Sequence, residues 1–270
     1  MKLVSSAKLR KAQNAIEAMR PYEEQLLGIL ASLQGGMAGR SSVMPGSDRA
    51  SAPKTIVAIA SNSSLCGGFN ANAIAKVRAI RRPGDTVYAI GRKMADAMRK
   101  EGFASPEDFS ALSEHPSYGP AAALVEKLVA DVEAGRTGAV VLVYNHFVST
   151  ARQEPVVEVL MQRESPDQVG GDRGAEERDS SPAPSYIAPL LEPSREALLE
   201  ALVPKTRKLK LYAALLDSAA AEHAARTVAM QTATDNAENL LAELTLQYNK
   251  GRQQKITSEI LDLAGGQAEN

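Results

Sequence analysis

The chain has 270 residues, with 31 Lys plus Arg against 32 Asp plus Glu and a single cysteine, Cys66. Balanced charge excludes a global field that would recruit nucleic acid or an anionic membrane, and one cysteine excludes an internal disulfide framework and suits a reducing compartment. The longest apolar runs, Ile56 to Ala60 and Ala139 to Tyr144, fall far short of the ~20 residues needed to span a bilayer.

The basic start at Lys2, Lys8, Arg10 and Lys11 leads into no apolar stretch of the kind a signal peptide carries, so the protein is expected to stay where it is made. Aromatics are 4% with no Trp, while Ala and Leu abound, which favours long helices over a sandwich or barrel.

Residues 1 to 33 space apolar or small side chains at alternating steps of three and four: Leu9, Ala12, Ile16, Met19, Leu26, Leu30 and Leu33. That is a heptad seam, interrupted by Glu23. Pro21 removes one backbone donor and predicts a kink rather than an end, and Gly35, Gly36 and Gly39 then stop the helix. Met37 to Lys54, rich in Ser, Gly, Pro and Ala, reads as a linker loop.

From Thr55 strand and helix alternate. Strands are expected at Thr55 to Ser61, Thr86 to Gly91, Ala139 to Phe147 and Val156 to Met161. Helices are expected at Asn70 to Arg82, Arg92 to Gly102 and Pro120 to Ala134. This predicts a small α/β layer structure with a partly parallel sheet under covering helices. Arg163 to Ser185, dense in Asp, Glu, Ser, Gly and Pro, buries too little apolar surface to order itself and reads as a mobile insertion.

Pro193 opens a short helix ending near Val203, and Pro204 suits the first position of the next. From Lys205 to Ala264 the only Gly is Gly251 and there is no Pro, which predicts a rod of roughly 90 Å. Its seam runs Leu209, Tyr212, Leu216, Ala219, Met230, Ala233, Ala237, Leu240 and Leu244, with His223 and Arg226 as polar exceptions. Antiparallel pairing with the first helix is the economical arrangement, and Ala219, Ala220, Ala221, Ala224 and Ala225 let the two backbones approach closely. The units are then 1–36 (first helix), 37–54 (linker), 55–192 (α/β domain with insertion 163–185) and 193–270 (last helix).

Catalytic and ligand motifs are missing from the sequence. No P-loop occurs, and Gly67 and Gly68 lack the three-glycine dinucleotide fingerprint and read as a tight turn. His115, His146 and His223 are scattered and have no second Cys to complete a metal site. Cys66 has no base beside it in the sequence, and reads as a small packed residue. No catalytic residue, cofactor or metal is expected.

The opening Met1-Lys2-Leu3-Val4-Ser5-Ser6-Ala7-Lys8-Leu9-Arg10-Lys11-Ala12 resembles the first-helix motif of F-type ATP synthase gamma subunits. Ser61-Asn62-Ser63-Ser64-Leu65-Cys66-Gly67-Gly68-Phe69-Asn70 is similar to the family's strand-turn-helix signature. The C-terminal helix matches most specifically, through Glu222-His223-Ala224-Ala225-Arg226, Ala229-Met230-Gln231-Thr232-Ala233-Thr234-Asp235-Asn236-Ala237, Arg252-Gln253 and Ile256-Thr257-Ser258-Glu259-Ile260. Family members usually carry a further N-terminal stretch before the point that matches Met1, and the Arg163 to Ser185 stretch looks longer than usual.

The resemblance implies a central Rossmann-like α/β domain between paired terminal helices. It implies a non-catalytic rotating shaft inside a hexamer of alpha and beta subunits, with the epsilon subunit and the membrane c-ring beneath, on the cytoplasmic face of a bacterial membrane. By the same resemblance, rotor-stator contacts fall on Met1, Lys2, Lys8, Arg10, Lys11, Arg252, Gln253, Thr257 and Glu259. Two other classes make different predictions. A non-rotary coiled-coil adaptor would ignore alpha and beta subunits, and an α/β enzyme using the Cys66 to Asn70 turn would be stabilised by its ligand.

Overall fold

The computed structural model describes residues 2–33, 53–103, 105–163, 192 and 194–267, and the side chains of these as far as Leu261. All but Pro53 and Lys54 of the expected linker at 37–54, the glycine stop after Leu33 and all but the first residue of the expected insertion lie outside the described residues, and Lys54 already belongs to the first strand.

Four strands, β1 (Lys54–Ile59), β2 (Thr86–Ile90), β3 (Ala139–Phe147) and β4 (Gln153–Gln162), form one sheet in the order β2-β1-β3-β4. β1 pairs parallel with both β2 and β3, and β4 closes the edge antiparallel to β3. β1 alternates its side chains between two cores. Val57 and Ile59 join Tyr88, Ile90, Leu142 and Tyr144 on one face. Ile56, Ala58 and Ala60 join Val87, Ala89 and Val143 on the other. A strand buried on both faces reads as a continuous apolar run, which is why these segments were visible in the sequence.

The second face is covered by α2 (Phe69–Ile80) and α3 (Arg92–Lys100) through Ala73, Val77, Met94 and Met98. The first face is covered by α5 (Tyr118–Glu133), by the short α4 (Ser110–Glu114), and by the last helix, α6 (Arg195–Gln267). The sequence reading did not foresee α4, whose five residues are too few to show a helical period.

α6 is one helix of 73 residues, roughly 110 Å long. The expected break before Pro204 does not occur. Pro204 is exposed and carried inside the helix, where its ring faces solvent and costs one backbone hydrogen bond. Half-buried Leu202 and Val203 on one side, with buried Leu209 and Leu211 on the other, hold the helix continuous. α1 (Lys2–Leu33) likewise continues through Pro21.

The two terminal helices run antiparallel. Near one end of the pair Lys2 Nζ donates to Gln231 Oε1, and at the other Arg195 Nε donates to the Leu33 carbonyl. Between them Leu9 packs on Ala220 and Ala224, with Ala12 and Ile16 alongside. Leu26, Leu30 and Leu33 complete the buried side of α1.

The pairing stops at Gln231, which corrects the expected seam. Every described side chain of α6 from Thr232 to Leu261 is exposed, including Ala233, Ala237, Leu240 (56%) and Leu244 (52%). Among the described residues α1 starts at Lys2, opposite Gln231, and no other described element packs on the rod past that point. The uncovered part, from 232 to 261, spans about 45 Å.

Leu215 is buried between α6 and the sheet, whereas Leu240 stands in solvent. Leu215→Ala is expected to destabilise the isolated chain by about 2–5 kcal/mol through transfer and cavity terms, and Leu240→Ala by less than ~0.5 kcal/mol. Urea unfolding followed by circular dichroism reads both.

Candidate functional site

The expected contact residues fall into two separate groups. Lys2, Lys8, Arg10 and Lys11 are exposed on α1. Arg10 and Lys11 line a shallow groove with Ser6, Ala7 and Asn14, and Lys8 lines a different cavity. Met1 lies outside the described residues. Arg252, Gln253, Thr257 and Glu259 are all exposed on the uncovered part of α6, where Thr257 Oγ1 donates back to the Gln253 carbonyl at 2.8 Å. Lys2 sits opposite Gln231, so at 1.5 Å per residue Arg252 lies about 31 Å further along the rod. The fold does not bring the two groups together.

Where shaft meets domain, α6 is squeezed between α1 and the turn after β1. Its Ala220 and Ala224 face Leu9, and its Ala221 and Ala225 face Cys66 and Phe69. Cys66 is 1% exposed and packed, as its setting beside glycines suggested. The turn requires left-handed backbone at Leu65 (φ 65°) and Gly67 (φ 56°), and ordinary van der Waals distance separates a Cβ at Gly67 from Ala229 Cβ (3.9 Å). Asn70 Oδ1 accepts from the Ser61 backbone N–H at 3.0 Å and ties the turn to α2.

Two polar clusters sit on this junction. Between α1, β3, β4 and α6, His146 Nδ1 is 2.5 Å from Asp217 Oδ2, and the Phe147 N–H donates to Asp217 Oδ1 at 3.1 Å. Burial raises the Asp217 carboxyl above its ordinary range, against the lowering effect of those two bonds. Burial, then Glu158, raises Glu23 across the same cavity. Tyr144 donates to Glu158 at 3.2 Å, and burial followed by the Glu158 charge pushes its hydroxyl up.

The second cluster is on α6. Arg226 Nη1 bonds Glu222 Oε1 at 2.7 Å and Arg226 Nη2 donates to Ser63 Oγ at 3.0 Å, pinning the helix to the β1 turn. Glu222 is raised by burial, opposed by Arg226 and Lys8. His223 is lowered to about 4, by burial first and then by Arg226 and Lys8, so it is neutral at pH 7. Sequence reasoning treated His146 and His223 as ordinary. The four-residue step from Glu222 to Arg226 was a usable signal, whereas His146 and Asp217, 71 residues apart, offered none.

Among the described residues no group of three or more His, Cys, Asp or Glu could hold a metal ion, and no helix is long and apolar enough to cross a membrane. The geometry is a junction clamping a long rod.

Comparison with known proteins places the chain. The ATP synthase family matches residues 1–268. The ATP synthase gamma chain of Phocaeicola vulgatus is 42% identical over 273 aligned residues, covering 98% of this chain and 91% of that protein. The chain belongs to the ATP synthase gamma-chain family. The gamma chain of Pelotomaculum thermopropionicum is 36% identical over 99% of this chain and 91% of its own length. Among solved structures, a chain of the Euglena gracilis mitochondrial ATP synthase, from an assembly of OSCP, F1 and c-ring, superposes with a TM-score of 0.60 at 20% identity. It covers 97% of this chain and 94% of that one. A chain from the central stalk and c-ring of the Tetrahymena thermophila enzyme gives 0.59 at 20% identity, with 87% and 97% covered. These distant structures share the fold: α/β domain, mixed sheet and long C-terminal helix.

Two predictions test this junction. At Gly91 (φ 103°) a Cβ would meet the Ala60 carbonyl oxygen at 2.1 Å. Gly91→Ala is therefore expected to cost at least about 1–3 kcal/mol from backbone strain alone, read as a lowered unfolding midpoint.

For His223 the folded pKa lies below the unfolded value of 6.5. The unfolded chain binds the proton more readily, so this residue's contribution to stability falls as pH drops from about 6.5 to about 4. Glu222, Asp217 and Glu23, raised in the fold, act in the opposite sense at acid pH. The comparison of wild type with His223→Gln isolates the imidazole. The wild type should lose on the order of 2 kcal/mol relative to the variant between pH 7 and pH 4.5, measured by urea unfolding at each pH.

Proposed function

We propose that this chain is the rotating shaft of an F-type ATP synthase, carrying rotation of a membrane c-ring into a catalytic hexamer of alpha and beta subunits for proton-driven ATP synthesis. The carrying observation is the uncovered part of α6. Leu240, Leu244 and Tyr248 succeed one another four residues apart on one side, while Leu246 points nearly opposite to Leu244. One apolar stripe calls for one partner helix. Apolar side chains on several sides call for a cover that surrounds the rod, which is what a ring of subunits supplies.

The chain itself is a non-catalytic subunit in this reading. An exposed rod with Leu240 on one side and Leu246 on another presents different contacts to each subunit around it, and chemically identical sites then differ in affinity through differential contact energy. Arg252, Gln253, Thr257 and Glu259 are the contacts proposed on the uncovered rod, with Lys2, Lys8, Arg10 and Lys11 on the paired section; Met1, next to Lys2 in the sequence, is proposed with them. The α/β domain sits beneath the hexamer beside the epsilon subunit, at the cytoplasmic face of a bacterial membrane, and the chain touches the membrane only through partners. The functional units are those read from the sequence: 1–36, 37–54, 55–192 and 193–270.

Replacing Arg252, Gln253 and Thr257 together by Ala alters only exposed side chains. Loss of about 1.4 kcal/mol of differential contact lowers a rate about tenfold. ATP synthesis by the reconstituted complex in vesicles is expected to fall by about that factor with assembly and the chain's own unfolding midpoint intact. Unaltered synthesis removes these residues from the mechanism.

A further inference from the structure

Beyond that reading, the junction contains a polar cavity. We propose that this cavity, at the carboxyl ends of β1 and β2, binds a phosphate-sized oxyanion. Its volume is about 230 Å³, and Lys8, Asn62, Ser63, Arg92, Glu222 and Arg226 are among the residues that line it. That volume lies below the roughly 300–1,000 Å³ of clefts that hold drug-sized ligands, so it suits an ion or a terminal phosphate group rather than a whole nucleotide.

The charge in the cavity favours an anion. Three cations, Lys8 from α1, Arg92 at the start of α3 and Arg226 from α6, face two carboxylates, Glu114 from α4 and Glu222 from α6. Glu222 is taken up by Arg226 at 2.7 Å. Among the described residues Lys8 and Arg92 enter no salt bridge; exposed Glu114 lines the cavity with them, and the carboxylates of Asp108 and Glu222 act on Arg92 and Lys8 through space. Two uncommitted cations converging from separate elements form a clamp with charge-assisted donors to offer.

Local hydrogen bonding orders the clamp. Asn62 uses both ends of its amide on the protein, accepting from the Arg92 N–H at 3.0 Å and donating to the Ser110 carbonyl at 2.8 Å. This holds the first residue of α3 against the β1 turn. Ser63 Oγ accepts from Arg226 at 3.0 Å, which leaves the hydroxyl hydrogen available as a donor. His223 also lines the cavity, and its Nδ1 is buried with no protein partner. Such an orphan costs about 1–3 kcal/mol unless something other than the chain completes it. The neutral ring, which burial, Arg226 and Lys8 keep unprotonated, still carries one N–H.

The test is a titration of the full-length chain with inorganic phosphate, monitored by ³¹P line broadening, with chloride keeping the ionic strength constant. Saturable binding is expected, accompanied by a shift of the His223 ring nitrogens. Lys8→Gln with Arg92→Gln should weaken it at least tenfold while circular dichroism and the unfolding midpoint stay at wild-type values. Ser63→Ala, which removes a donor without changing charge, should weaken it several-fold and decides the matter should the double variant fold poorly. A parallel titration with ATP identifies the source. Competition with phosphate assigns the site to a nucleotide's terminal phosphate, and its absence assigns it to the free ion. Unsaturable broadening, or wild-type binding in Ser63→Ala and the double variant alike, overturns the proposal.

Discussion

Everything in this molecule depends on α6 being shared between two neighbours along one stretch. From Leu209 to Ala225 the helix gives one side to the sheet, through Leu211, Ala214 and Leu215, and another to α1 and the β1 turn, through its alanines. Alanine is the residue that permits this. It keeps helical propensity high while leaving room for Leu9 on one side and Phe69 on the other. Larger side chains there would push the rod off the domain, at the ~1–3 kcal/mol typical of overpacking. The same helix is therefore core, clamp and shaft, and torque applied to the domain has a packed route into the rod.

Beyond that stretch the arrangement changes character. α1 ends its cover opposite Gln231, and the remaining rod carries leucines on several sides with no partner within the described residues. Within the clamp, polar groups fix the angle between rod and domain: Arg226 reaches Ser63, and Asp217 holds both His146 and the Phe147 backbone. These bonds join sequence-distant elements and hold them in one geometry.

Much of the fold was legible because it is written in periods. β1 and β3 read as short apolar runs because both faces are buried, and α1 showed its heptad seam through Leu26, Leu30 and Leu33. Two features were not legible for physical reasons. Pro204 looked like a helix boundary, yet the helix continues through it, because packing on both sides offsets the lost hydrogen bond and the crowding of the carbonyl four residues back. The seam from Ala233 to Leu244 looked like a pairing surface, because periodicity reports which side chains are apolar and not whether a partner reaches them. Of the junction, the turn glycines and buried Cys66 were read correctly. The clusters around Asp217 and His223 were hidden because tertiary contact alone assembles them.

The central claim is that the rod beyond Gln231 is finished by other subunits. Hydrogen exchange of the backbone amides from 232 to 261, compared between the isolated chain and the assembled complex, tests it most directly. The account predicts slow exchange there only in the complex, with the amides of β1 and β3 equally protected in both. Equal exchange of the rod in both states would contradict it.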